Sequence, residues 1–351
     1  MSSNASESRR KPGGANAPSE PVCNGKKLSQ WLRRLDTAAT DADQKMAADA
    51  IRSIGKPAIP FLLVALRQGG RHAQRAYNAF SVLGAEAVSA VDEIRRDPGP
   101  TPYFAGAALG AIGGPALEAL ETFLTHPDAM VRNAGAVGLS EGLSCEKFQP
   151  SDVRSFLPQL LKNLGDEHSS VRASTASLIG AIGADPSICV PALADLLHDH
   201  AHVVIATAAQ ALCRFGPAAA GALAPLLELQ RTADAVIRQE ILKAIARTAQ
   251  PELYEVIKAA LTDDAFGVRL AALDGLGYFP KHVSEVVPIL IEVLERSDQA
   301  EMKWNALWAL GRLGPLARAA LPTVRKLLDN PNQAGGEETV RNTIGRIERS
   351  A

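Results

Sequence analysis

Three histidines at alternate positions are the residues here most able to hold a metal: His198, His200 and His202, with Asp199 between the first two and Asp195 upstream. Imidazole nitrogens and a carboxylate are zinc donors, and alternate side chains converge only if the turn that carries them is extended. No ligand from a distant segment completes the set, and the alternative is an exposed His-rich turn. No cofactor is expected. The four cysteines, Cys23, Cys145, Cys189 and Cys213, contain no C-x-x-C pair and read as reduced thiols. The glycine-rich run Leu109 to Gly114 falls at a helix end with no strand before it, so it lacks the setting of a phosphate loop. No Ser/His/Asp arrangement is recognisable, and no catalytic residue is assigned.

These residues must be positioned by elements that repeat. An apolar–x–apolar–Gly phrase, followed by Pro or Ala, recurs at Gly55, Gly84, Gly113, Gly183, Gly216 and Gly314. The first three glycines are 29 residues apart, and Gly183 and Gly216 are 33 apart. A fixed period in this range signals an array of stacked units. Each unit reads as two helices. The first starts near a proline, as at Pro57, Pro115, Pro191, Pro217 and Pro315, where a first-turn N–H has no intrahelical partner to lose. An acidic turn follows, with Asp128, Asp166, Asp199, Asp234 or Asp263 placed to cap the second helix. That helix opens with Val-Arg or an equivalent (Val131-Arg132, Val171-Arg172, Ile237-Arg238, Val268-Arg269) and closes at the Gly.

This grammar resembles the HEAT-repeat family, in the short form of the phycobilisome lyases. The resemblance runs from Lys27 to Ser350. It implies an all-α, right-handed α-solenoid of about ten helical hairpins, armadillo/HEAT-like in its superhelix. It also implies a ladder in which the Arg after Val meets the turn Asp of a neighbouring unit, with Arg132, Arg172, Arg238 and Arg269 as members. The pattern weakens at Val204-Ile205, where Ile stands for Arg. An insert at 143–150 reads as a break or bend. Trp31 reads as a cap on the opening unit, which has no neighbour to cover its core.

In the family the second helices line the concave side. Positions two and six after the Val share a stripe, being four residues apart. Most of its members are polar or small, such as Asn133, Ser177, Ala206 and Asn342. Trp304 and Trp308 stand in that stripe, and Tyr103 is a lesser case of the same kind. Exposed Trp reads as an anchor for a partner; the alternative is a wide core filler. Gln239, Lys243, Asp274 and Arg346 are the flanking polar contacts. Small members, Ala107, Ala173, Ser177 and Ala206, leave room for something to lie in the middle.

Net charge of −1 and a stripe without a basic row argue against nucleic acid. No 18-residue apolar run is evident, so no membrane span is expected. Residues 1–25 read as a disordered tail before the 26–351 array, and the location is expected to be cytoplasmic. Two enzymes with HEAT-type repeats fit poorly. A deoxyhypusine hydroxylase needs His-Glu pairs, and no His-Glu dipeptide occurs; a DNA glycosylase of this type needs a basic groove. The expected function is a non-catalytic scaffold that binds another protein or peptide along the concave surface. The alternative is a bilin lyase or isomerase of the phycobilisome-lyase type, for which Cys213 and His202 are the local candidates.

Overall fold

The computed structural model describes residues 19–232 and 234–349. It opens on a two-stranded hairpin, β1 (Val22–Cys23) and β2 (Lys26–Lys27), turning at Asn24 and Gly25, both at positive φ. That pair of conformations is the type I′ turn that Asn-Gly favours. The tail expected over 1–25 therefore divides: residues 1–18 lie outside the described residues, and 22–25 belong to this hairpin. Trp31 is buried beside it and donates its Nε1–H to the Cys23 carbonyl at 2.9 Å, closing the first unit.

Ten helix pairs follow. They are α1 (Leu28–Thr37) with α2 (Asp41–Ile54), α3 (Ile59–Gln68) with α4 (Gly70–Leu83), α5 (Val91–Arg96) with α6 (Pro102–Ile112), and α7 (Leu117–Leu124) with α8 (Ala129–Ser144). In the fifth unit α9 (Pro150–Arg154) and α10 (Leu157–Asn163) precede α11 (Ser169–Ile182). Then come α12 (Pro186–Asp195) with α13 (His202–Phe215), α14 (Leu223–Thr232) with α15 (Ala235–Arg247), and α16 (Tyr254–Ala259) with α17 (Phe266–Leu276). The last two are α18 (Val283–Arg296) with α19 (Ala300–Leu313), and α20 (Leu321–Lys326) with α21 (Glu337–Glu348). Each second helix packs on the second helices of the units before and after it, so the core is one continuous line of Ala, Leu, Ile and Val. This is an α-solenoid, in which each unit buries its apolar face only against its neighbours.

The closing glycines act as the phrase implied. Gly216 has φ 55° and ψ −129°, a conformation closed to residues with a Cβ except under strain. It turns the chain between α13 and the 3₁₀ segment Gly216–Ala222 that leads into α14. The stretch from His202 to Arg231 is long and apolar enough to cross a membrane by composition, contrary to the sequence expectation. It is not one rod, however, because it turns at Gly216 and α14 then packs on α15 as the first arm of a hairpin.

The insert at 143–150 does not interrupt the line of second helices, since α8 packs directly on α11. The N–H groups of Lys147 and Phe148 both donate to the Gly142 carbonyl, and the Phe148 ring is buried against Gly142. The extra residues thus form a helix stop with its own hydrophobic plug.

One junction is tighter than the rest. An ideal Cβ on Gly106 would lie 2.0 Å from the Ala134 carbonyl oxygen, and one on Gly110 2.1 Å from that of Gly138. The backbones of α6 and α8 therefore touch. As a result α6 is buried from Ala105 to Ile112, and side chains of its two neighbours meet across it: Tyr77 of α4 donates its hydroxyl to Glu141 of α8 at 2.7 Å. Burial and the Glu141 carboxylate raise the Tyr77 pKa to about 12. The trough expected over the small stripe residues is consequently closed here, and Ala107 is only 3% exposed.

Candidate functional site

The ladder comes first, because it sets the register of the surface. Arg132 forms a two-pronged pair with Asp166 (Nε–Oδ2 2.6 Å, Nη2–Oδ1 2.9 Å), and its Nη1 donates to the carbonyls of His126 and Pro127. Arg172 repeats this with Asp199 and with the carbonyls of Asp166 and Glu167. Arg238 pairs with Asp263 and Asp264. Arg132 and Arg172 thus staple their own turn to the turn of the next unit, and Arg238 reaches the next turn in the same way. Arg269 keeps only the first half: it holds the carbonyls of Asp263 and Asp264, with no ion pair among the described residues. In the ninth unit Lys303 takes the role, buried and donating to Gln333 at 3.1 Å.

These pairs predict acid sensitivity. Burial pushes the Asp166 carboxyl up, but the Arg132 guanidinium and the His168 N–H more than reverse it, leaving its pKa below the ordinary value. Arg172 lowers Asp199 and Arg238 lowers Asp263 in the same way. Folding then favours the charged carboxylate. The stabilisation is complete above the unfolded value of about 3.9 and is lost as pH falls toward the lower folded one. The melting temperature is expected to drop steeply from pH 5 to pH 3. A D166N/D199N variant, already weaker at pH 7, should show a shallower drop; parallel curves would contradict the assignment.

The histidine cluster does not assemble. Among the described residues no three His, Cys, Asp or Glu side chains could hold a metal ion. Asp199 is committed to Arg172 and to the Ala201 N–H, and His198 ends a 3₁₀ turn while His202 begins α13, so the three histidines do not lie on one extended stretch. His198, His200 and His202 are all exposed. His202 instead meets Asp234, 3.0 Å away. Asp234 has no ladder arginine, because Ile205 occupies that place, and it also caps α15 at the Val236 and Ile237 N–H groups. Cys213 and His202 share α13 but lie three turns apart, roughly 16 Å along the axis. The Cys213 thiol faces the Lys243 carbonyl at 3.8 Å, and burial raises its pKa.

The aromatic stripe does assemble. Trp304 and Trp308 on α19 are 41% and 38% exposed, with ring centroids 5.8 Å apart in an edge-to-face arrangement. Trp304 rests against Gly335, where a Cβ would come within 2.3 Å of its Cδ1. Arg346 of α21 stacks on Trp308 at 5.2 Å, and a cleft of about 210 Å³ runs beside it, lined by Trp308, Glu338, Asn342 and Arg346. The core-filler alternative is therefore set aside for both tryptophans. Of the flanking residues, Asp274 is bound to Arg312 and Lys243 to Glu240, while Gln239 lies over Gly267. Tyr103 is 48% exposed and packs edge-on to Phe104, but it sits on α6, several units away from the tryptophans. A larger hollow, about 930 Å³, lies on the first helices of the opening units, lined by Leu28, Leu32, Phe61, Val64, Arg67 and Glu93 among others.

Arg214, Arg247 and Arg312, which form a row with Arg346, were missed by reading the stripe alone. Arg214, Arg247 and Arg312 each stand two residues before a closing residue at positive φ, namely Gly216, Ala249 and Gly314. Arg346 continues the row: its carbonyl faces Gly314 just as that of Arg247 faces Gly216, at 3.5 and 3.6 Å from an ideal Cβ. Tyr278 fills the gap at the eighth unit, its ring between the guanidiniums of Arg247 (5.4 Å) and Arg312 (4.0 Å). The signal was available in the register of the closing residues.

A family model for HEAT repeats matches residues 157–246, 223–298 and 254–338, which together span just over half of the chain. The chain belongs to the HEAT-repeat family. Among solved structures, this HEAT array is similar to Kap121p bound to Ste12p, at 15% identity and TM-score 0.59, over 86% of this chain and 38% of that one. It is also similar to Kap95p, from a structure concerned with Kap95p binding to RanGDP, at 14% identity and TM-score 0.54, over 91% and 51%. The chain thus spans about two-fifths of Kap121p and half of Kap95p. The complex of CpcE and CpcF of phycocyanin lyase from Nostoc sp. aligns at 21% identity and TM-score 0.46, over 66% of this chain and 94% of that one. No curated protein sequence matches the chain. At these identities the likeness is one of fold.

Proposed function

We propose that this HEAT array is a non-catalytic scaffold that binds a partner protein along its second-helix face, with Trp304 and Trp308 as the anchor. The observation that carries this reading is the exposure of two adjacent tryptophans in a stripe that holds polar or small residues in most other units. Water contact over two indole rings is unfavourable, and burying them under a partner recovers it at about 25 cal/mol per Å². Paired rings edge to face, with Arg346 stacked on one, form a rigid surface that loses little entropy on binding. Membership of a family of stacked repeats, and solved neighbours described in complex with other proteins, support protein partners in general.

The test replaces both rings with a residue the stripe uses elsewhere, as in W304Q/W308Q. Retention of the native partner from lysate is expected to fall at least tenfold, in line with the loss of a paired hot spot. Each ring is partly covered, so the melting temperature should drop by only a few degrees. Undiminished retention would refute the anchor; a collapse in melting would show that the rings are structural.

A further inference from the structure

We infer that the segment bound on this face is an extended acidic one, whose carboxylates meet Arg214, Arg247 and Arg346 while an apolar side chain meets the tryptophans. This rests on the scaffold reading and specifies the chemistry of its partner.

The ladder arginines show what an arginine does here when its role is structural: Arg132, Arg172 and Arg238 are all bound to carboxylates of the next turn. The row behaves differently. Arg214, Arg247 and Arg346 are exposed and make no ion pair with the described residues. Only Arg312 has a carboxylate, that of Asp274. Lys243 is likewise neutralised, by Glu240. Three positive charges on the face are therefore left without a counter-charge. Attraction between the last turn of a helix and a cation favours arginine at such places. It does not account for the distribution, because the matching positions in earlier units hold Ser53, Val82, Ala111 and Ala181. The row is confined to the half of the array that also carries the tryptophans.

Geometry favours a peptide in extended form. Packed helices lie about 8–10 Å apart, and an extended chain in the polyproline-II form advances about 3.1 Å per residue with three residues per turn, so every third side chain returns to one face. An acidic residue at every third position would therefore meet successive arginines. Tyr278 bridges the unit that has no arginine, with the guanidiniums of Arg247 and Arg312 at 5.4 and 4.0 Å from its ring centroid. Arg312 already gives its Nη1 and Nη2 donors to Asp274, so the N–H edges open to carboxylates in the two-pronged manner are those of Arg214, Arg247 and Arg346. Glu240, Asp274 and Glu338 lie on the same stretch. They disfavour a continuous phosphate backbone, whereas a peptide can place neutral residues opposite them.

The experiment measures fluorescence anisotropy of a labelled peptide of about fifteen residues, with Glu at every third position, Ser between, and one central Phe. Binding is expected, weakening as salt rises from 50 to 300 mM. R247S/R346S should lose at least tenfold in affinity with unchanged melting, and R247K/R346K should retain most of it. No binding, or equal binding of the same peptide with Gln for Glu, would overturn the acidic assignment. The scaffold reading would still stand or fall on W304Q/W308Q and the native partner. Tighter binding of a single-stranded DNA oligonucleotide of equal length would overturn it in favour of nucleic acid.

Discussion

Gly110→Ala is expected to destabilise the array by about 2–3 kcal/mol, even though alanine is the better helix former. In an isolated helix this change would gain about 1 kcal/mol. Here the new Cβ would lie 2.1 Å from the Gly138 carbonyl oxygen and 3.0 Å from the Gly142 nitrogen. Both atoms are backbone, so no side-chain rotation relieves the collision. The helices α6 and α8 must separate, and the separation also opens contacts at Gly106, where the Ala134 backbone is equally close. Packing loss therefore outweighs propensity. Coupling in a solenoid runs only between neighbours, so parting one junction should split the thermal transition, with the units on either side melting separately. Gly114→Ala is the control, because nothing lies within 4 Å of its Cβ position, and a change within about 0.5 kcal/mol is expected. Equal melting of Gly110→Ala and wild type would show that the crossing is looser than described.

The second large effect is at the ladder. Asp166→Ala is expected to cost about 2–4 kcal/mol. The Asp166 and Arg132 side chains are 7% and 14% exposed, so the guanidinium loses two short hydrogen bonds where water barely reaches it. Asp166 also accepts the His168 N–H at the entrance to α11, and that bond goes too. The exposed pair Arg296 and Glu292 makes the contrast. It has a short contact of its own, yet its side chains are 79% and 59% exposed, and Glu292→Ala should change stability by less than about 0.5 kcal/mol. A double-mutant cycle of Asp166→Ala with Arg132→Ala should give a coupling above about 1 kcal/mol. Additive losses would mean that the two residues act separately.

Reading the chain in order recovered whatever repeats. The closing glycines, the prolines at the first helices, the capping aspartates and the Val-Arg step are local signals, and each is restated in several units. Ten hairpins followed from them, because one register applied many times leaves little freedom, while the Arg–Asp ladder was implied by the resemblance to HEAT repeats and holds at Arg132, Arg172 and Arg238. Arg269 shows the limit, since its ladder half depends on a partner in the next turn that its own unit does not specify.

Everything not periodic had to wait for the packed chain. Trp304 and Trp308, four residues apart on one helix, fit an exposed stripe and a core stripe equally well; only the position of Gly335 and Arg346 against them decided it. The alternation of His198, His200 and His202 allowed convergence only over an extended turn or else an exposed His-rich one, and the end of a 3₁₀ turn at His198 with the start of α13 at His202 gives the exposed form. Tyr77 and Glu141 are 64 residues apart, and nothing local pairs them. They meet because the glycines of α6 let α8 come against its backbone, which narrows that helix until its neighbours' side chains touch over it. Sequence by itself determined the unit and its repetition, since a helix, a turn and a cap are stabilised by residues close along the chain. Tertiary structure alone decided which faces remained open, since exposure depends on how closely neighbouring backbones approach.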